Sequence, residues 1–173
     1  MSILILSLLL PLQSITPQAL LASTAGKWRG ELAYRDYQTD QWQGLPVEVT
    51  IIAQPDGVTT VRTAAYDDGP KTGTVWITTT AMVEGDSLRS ATFREGRPLE
   101  TATVRLTVSA APDPTHWTMI AQDRRIDGDG MAQIRETTVR DGATMTTLKE
   151  VDPEGDGKDV WLPRNRTVLT RVD

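Results

Sequence analysis

Gly26-Lys27-Trp28-Arg29-Gly30-Glu31-Leu32-Ala33-Tyr34-Arg35-Asp36-Tyr37 carries a period of two. Trp28, Gly30, Leu32 and Tyr34 fall on one side of an extended chain, and Arg29, Glu31 and Arg35 fall on the other. That is the pattern of a strand with one wet face. Gly26 sits where a residue with left-handed backbone ends a helix, so the stretch reads as a helix stop feeding a first strand.

The same period continues downstream. Leu45, Val47, Val49, Ile51 and Ala53 alternate with Pro46, Glu48 and Thr50, and the turn Gln54-Pro55-Asp56-Gly57 leads into Val58–Tyr66. Asp67-Asp68-Gly69-Pro70, Glu84-Gly85-Asp86 and Glu95-Gly96-Arg97-Pro98 separate three further strands, the last with Ala102, Val104, Leu106 and Val108 on one face. Pro112-Asp113-Pro114 introduces His116–Arg124, and Asp127-Gly128-Asp129-Gly130 introduces Met131–Val139. Asp141-Gly142 makes a tight turn into Ala143–Val151, and a polar loop, Asp152–Asp159, precedes Trp161 and a last strand, Arg164–Val172. These turns predict nine or ten short strands and no helix after residue 26. Sequential hairpins make an antiparallel meander, which removes its open edges most simply by closing into an up-and-down barrel of about 8–10 strands. A β-sandwich is the alternative.

Upstream, Thr16-Pro17-Gln18-Ala19-Leu20-Leu21-Ala22 reads as an N-cap, a proline at the first helical position and strong helix formers. Before it, Ile3 to Leu12 is apolar except for Ser7 and Pro11, far short of the about 20 residues a spanning helix needs. This segment reads as a secretory signal, although the usual basic residues ahead of it are missing. Small residues at Ser14, Ala19, Ala22 and Ala25 leave the cut anywhere from 14 to 25; survival of the short helix favours a cut near Ser14. The alternative, a buried N-terminal core helix, suffers from Pro11 in its interior. The expectation is therefore a signal over residues 1–14, one barrel domain over 16–173, and a periplasmic or secreted mature protein without a transmembrane span.

The 173 residues carry 18 Lys and Arg against 23 Asp and Glu, a net charge of -5, and no Lys/Arg run. That charge argues against a nucleic-acid partner. Absence of cysteine excludes disulfides, a thiol nucleophile, thiolate metal sites and lipid attachment at an N-terminal Cys.

The helix stop, Gly26-Lys27-Trp28 and an antiparallel meander ending on an arginine-bearing strand together resemble the lipocalin and wider calycin group. In that group the Gly-x-Trp tryptophan closes the narrow end of the barrel and an arginine near the final strand packs over its ring, a cation–π contact on a buried indole. The resemblance assigns barrel closure to Gly26, Trp28 and one of Arg164, Arg166 or Arg171; spacing does not separate the three, and Arg166 is the working choice. The run Trp28 to Tyr37 is also similar to a group of uncharacterised secreted bacterial proteins, which carries no activity over to this chain.

No residue pattern points to catalysis, and no cofactor or metal is expected. The single histidine, His116, excludes any site needing two imidazoles; a one-His haem site or a Ser-His-Asp site, with Asp36, Asp113 or Asp123 as orienter, needs only one. There is no Gly-x-Ser-x-Gly elbow, and His116 follows a Pro-Asp-Pro loop where an exposed strand start is expected. Asp152-Pro153-Glu154-Gly155-Asp156-Gly157 imitates the start of a calcium loop, but Pro163 stands where the twelfth-position acid belongs. Glu136 and Glu150 form no acid/base pair on spacing alone. Of the five tryptophans, Trp28, Trp76 and Trp117 lie within strands, whereas Trp42 and Trp161 lie in or beside loops, where a ring can line a barrel mouth. Met131–Val139 sets Gln133, Arg135 and Thr137 opposite Ile134, Glu136 and Thr138, so either face turned inward places a charge in the barrel and calls for a paired or hydrated interior; the alternative is a poorly covered sheet edge. The leading function is binding of a small molecule in the barrel, with Tyr34, Trp76, Trp117 and Arg135 lining the cavity. The alternative is a non-catalytic envelope structural or protein-interaction domain with a filled barrel, its protein partners not specified.

Overall fold

A computed structural model describes residues 15–36, 38–128, 130–155 and 157–172. The expected signal segment lies outside the described residues. The chain runs α1 (Pro17–Ser23), β1 (Gly26–Asp36), β2 (Gln41–Ala53), β3 (Thr59–Asp67), α2 (Gly69–Thr72), β4 (Thr74–Glu84), β5 (Ser87–Arg94), β6 (Glu100–Asp113), β7 (His116–Asp127), β8 (Gly130–Asp141), β9 (Thr144–Pro153) and β10 (Leu162–Arg171). Every strand pairs antiparallel with its sequence neighbours, and β1 pairs with β10, so ten strands close into one barrel. The barrel, not the sandwich, is the fold. Closure leaves no strand edge in need of a partner. Among the described residues no helix is long and apolar enough to cross a membrane.

The register settles which side chains face the bore. Trp28 lies opposite Val49 and Arg171, Leu32 opposite Leu45 and Thr167, and Tyr34 opposite Gln43 and Asn165. Because side chains alternate, these pairs carry the inward face around the whole wall. Trp28, Val47, Val49, Ile51, Ala64, Met145 and Leu169 form one buried cluster. A second, Leu20, Val83, Leu106, Trp117 and Met119, sits under the helix.

Helix α1 forms as its sequence predicts. Thr16 caps it, its Oγ1 accepting from the Ala19 amide at 3.3 Å, and Pro17 occupies the first turn. The helix then lies across one end of the barrel with Leu20 fully buried. Ser23 Oγ reaches the Pro114 carbonyl in the β6–β7 turn at 2.9 Å, fastening the lid to the wall.

Two details differ from the sequence expectation. Helix α1 ends on Thr24 in right-handed conformation, and Gly26 opens β1 at φ 139° instead of serving as the helix's left-handed cap. Glycine suits this position because side-chain-bearing residues rarely adopt such a φ. A one-turn helix, α2, also occupies the β3–β4 connection, where only a turn was expected.

Candidate functional site

The end carrying α1 is sealed. The Trp28 indole Nε1 donates to the Thr24 carbonyl at 2.9 Å and the Arg171 guanidinium donates to the Ala25 carbonyl at 2.8 Å, so the chain leaving the helix is held from inside the barrel. The Arg171 guanidinium lies 5.6 Å from the centre of the Trp28 ring, and that of Arg140, from β8, lies 4.4 Å from it. Arg140 also donates to the Gly142 carbonyl, and burial, then the Arg171 charge, lowers its pKa. The late arginine over Trp28 is therefore Arg171. Arg166 lies instead 5.4 Å from the Trp42 ring and pairs with Ala33, whose neighbours Leu32 and Tyr34 face the bore, so alternation puts it on the outer wall.

Trp117 belongs to this seal. It is buried in the cluster beneath Leu20, with its indole N–H donating to the Pro114 carbonyl at 3.1 Å. Trp76 is 61% exposed on the outer wall, where its register partner is Ala65, and its neighbours Val75 and Ile77 face the bore. Arg135 also points outward, paired with Glu150 at 2.9 Å and stacked 4.2 Å from the Trp161 ring centre. Trp42 and Trp161 thus serve as ledges for outer-wall arginines, not as a lining of the mouth. Of the residues predicted to line a cavity, the structure places Tyr34 in the open half of the bore.

The opposite end is polar inside. On β7 to β10, Arg125 reaches Asp123 at 2.9 Å and Glu136 at 3.6 Å, while Asp127 receives Lys149 at 3.2 Å and Arg164 at 2.9 Å. The inward face of β8 is the Ile134, Glu136, Thr138 face, and its charge is paired, as a hydrated interior requires. Burial raises the Asp127 pKa, but Lys149 and Arg164 outweigh it and hold the carboxyl below its ordinary value. Inward threonines continue the polar wall, Thr138 bonding Thr147 at 3.0 Å and Thr79 bonding Thr92 at 2.9 Å.

Across the bore, β1 to β5 line a half-open cavity of about 180 Å³. Leu32, Leu45, Val75 and Ile77 supply an apolar floor; Tyr34, Tyr66, Asp68 and Arg94 supply the polar rim. The Tyr34 phenol is pushed up by burial, then by Tyr66 and by Asp68, and pulled down by Arg94. A larger hollow of about 460 Å³ shares Val75 and Arg94 but is walled by Trp76, Phe93 and Leu99, each more than half exposed, so it is a groove along the outer rim. The inner cavity is the candidate site because its strand residues all come from the inward face. Alternation from Trp28 makes Tyr34 legible; Tyr66, Asp68 and Arg94 join it through closure, which no single strand's pattern reveals.

His116 lies at the sealed end, half exposed. Its Nδ1 is 2.8 Å from Asp113 and 3.1 Å from the Thr115 hydroxyl, and its Nε2 is 3.5 Å from Asp141, so the hydroxyl and the carboxylate share one nitrogen instead of taking the two opposite ones that a Ser-His-Asp site uses. Asp113 is held down to about 2, chiefly by hydrogen bonds from Thr115 and also from His116. In the polar loop, Glu154 accepts from Arg124 and Gln133, and among the described residues no group of three or more acids and histidines could hold a metal.

The sequence matches no protein-family model and no curated protein. A solved structure that shares the fold is Rv2717c from M. tuberculosis, with a TM-score of 0.61 over 92% of this chain and 100% of that one. At 13% identity the likeness is one of fold: this chain is similar to Rv2717c in being a closed antiparallel barrel of the same general build.

Proposed function

We propose that the chain is a secreted or periplasmic, lipocalin-like, non-catalytic protein that binds a small molecule in the open half of its barrel. The observation that carries this reading is the asymmetry of the bore: one end is plugged by α1, Trp28 and Trp117, and the other retains a cavity of about 180 Å³ with an apolar floor and polar rim. Such a mix of apolar walls and a few convergent polar groups is the usual make-up of a ligand site. Arg171 over Trp28 supports the lipocalin-like reading, since the family resemblance implies a late arginine on the Gly-x-Trp ring. Export is supported by the apolar run ahead of a helix that the barrel needs.

Uptake of a fluorescent naphthalene sulfonate dye tests the binding reading. Uptake by the natural chain is expected, with strong loss in Leu45→Trp, whose added ring fills the cavity, and in Ile77→Phe; circular dichroism confirms that each variant is folded. No uptake, or uptake untouched by both folded variants, overturns it. The exposed side chains of Trp76, Phe93 and Leu99 beside the outer groove support the second reading, a protein-interaction surface, because contiguous exposed apolar groups mark such surfaces. Loss of a co-purifying partner in Trp76→Ser, with dye uptake intact, would favour it.

A further inference from the structure

Resting on the ligand-binding reading above, we propose that the mouth of the barrel takes a small zwitterion with an apolar body, of the α-amino-acid type. The argument begins with which charges are already used. On the β7 to β10 wall the three carboxylates Asp123, Asp127 and Glu136 meet the three cations Arg125, Lys149 and Arg164, so that wall neutralises itself. On the facing wall Arg94 and Asp68 both line the cavity, and among the described residues neither side chain has a hydrogen bond or ion pair. The hydroxyls of Tyr34 and Tyr66 likewise have no hydrogen-bond partner among the described residues.

A cation and an anion that line one small cavity without pairing to each other suit a ligand carrying the opposite charges on adjacent atoms. A guanidinium binds a carboxylate through paired N–H donors, and the two phenols add O–H donors to the same head. The Asp68 carboxylate accepts from an ammonium and repels a second acid. Arg94, Asp68 and Tyr34 line the same cavity, which places the head group beside that ring. The body of the ligand then rests on Leu32, Leu45, Val75 and Ile77. The cavity's roughly 180 Å³, open toward the mouth, has room for a branched aliphatic or single-ring group.

Calorimetric titration with L-phenylalanine, 3-phenylpropionate and phenethylamine separates the three charge patterns on one apolar body. The zwitterion is expected to bind at least tenfold more tightly than either singly charged analogue. In Arg94→Gln its affinity should fall to that of phenethylamine, and in Asp68→Asn to that of 3-phenylpropionate, with unchanged thermal unfolding showing that both variants fold. Analogues that match phenylalanine, or phenylalanine binding indifferent to both substitutions, overturn the proposal. If none of the three binds while dye is still taken up by the natural chain and lost in folded Leu45→Trp, the zwitterion class fails and the ligand-binding reading stands; if dye uptake fails as well, both fall.

Discussion

Gly30 shows how one residue can set the shape of the wall. A Cβ placed there would lie 1.8 Å from the Val168 carbonyl oxygen of β10, a backbone atom that cannot swing aside. The missing side chain lets β1 and β10 approach where the barrel closes on itself. Gly30→Ala is therefore expected to lower stability by about 1–3 kcal/mol or more, the usual cost of forcing extra volume into a packed wall, read as a drop in the urea midpoint. A midpoint equal to the natural chain's would show that β1 and β10 separate easily. The seal over Trp28 gives a second residue-scale contrast. Arg171 holds the Ala25 carbonyl and lies over the indole, whereas Arg166 lies over Trp42 on the outside. Arg171→Met should cost about 1.5–3 kcal/mol, the range for a hydrogen bond to a charged group, while Arg166→Met should cost under about 1 kcal/mol. Equal losses in the two variants would remove the assignment of Arg171 to the closure.

At the scale of the element, α1 acts as a lid whose hold depends on one side chain, since Leu20 is fully buried among Val83, Leu106, Trp117 and Met119. Leu20→Ala should cost about 2–5 kcal/mol, measured by denaturant unfolding, and expose Trp117 to solvent as a red shift in its fluorescence. The same burial bears on the proposed export: a cut at Ala19, Ala22 or Ala25 would remove all or part of the lid, so if the chain is exported, N-terminal sequencing of the mature protein should begin at Ile15 or earlier. A mature chain beginning beyond Leu20 would show that the barrel closes without it. The strands and the lid were legible because period-two patterns, proline-led turns and the Thr16-Pro17 start are local signals. Faces were legible only where one face was plainly polar. Trp76 stands between Val75 and Ile77, apolar on both sides, so alternation is silent and the pairing with Ala65 decides that it points outward. Arg135 and Glu136 are both charged, and only the buried neighbours Ala132 and Ile134 show that Glu136 faces the bore. The candidate site was less legible still, because Tyr34, Tyr66, Asp68 and Arg94 come from distant segments that meet through register.

The whole molecule divides along its axis into an apolar sealed end and an ionic open end, and the two should respond differently to acid. Apart from the half-exposed His116 and its two carboxylates, the sealed end is held by indoles, aliphatic side chains and arginines, none of which changes charge between neutral and mildly acid pH. The open end depends on carboxylates, and Asp127 bridges two of its strands by holding Lys149 of β9 and Arg164 of β10. Its pKa in the fold lies below 3.8, so the folded chain favours the charged form more than the unfolded chain does. The stability this contributes is fully present above the unfolded value and is lost as pH falls through the lower folded value. Asp127→Asn lacks that contribution at every pH and leaves both cations without their anion. It should be less stable than the natural chain by about 1–3 kcal/mol near pH 6, the cost of losing hydrogen bonds to a charged group, and the gap should narrow steadily as the natural chain's own carboxyl protonates below about pH 4. Urea midpoints of the two proteins across that range measure the gap, and a difference that stays constant with pH would show that the three charges are not coupled in the fold.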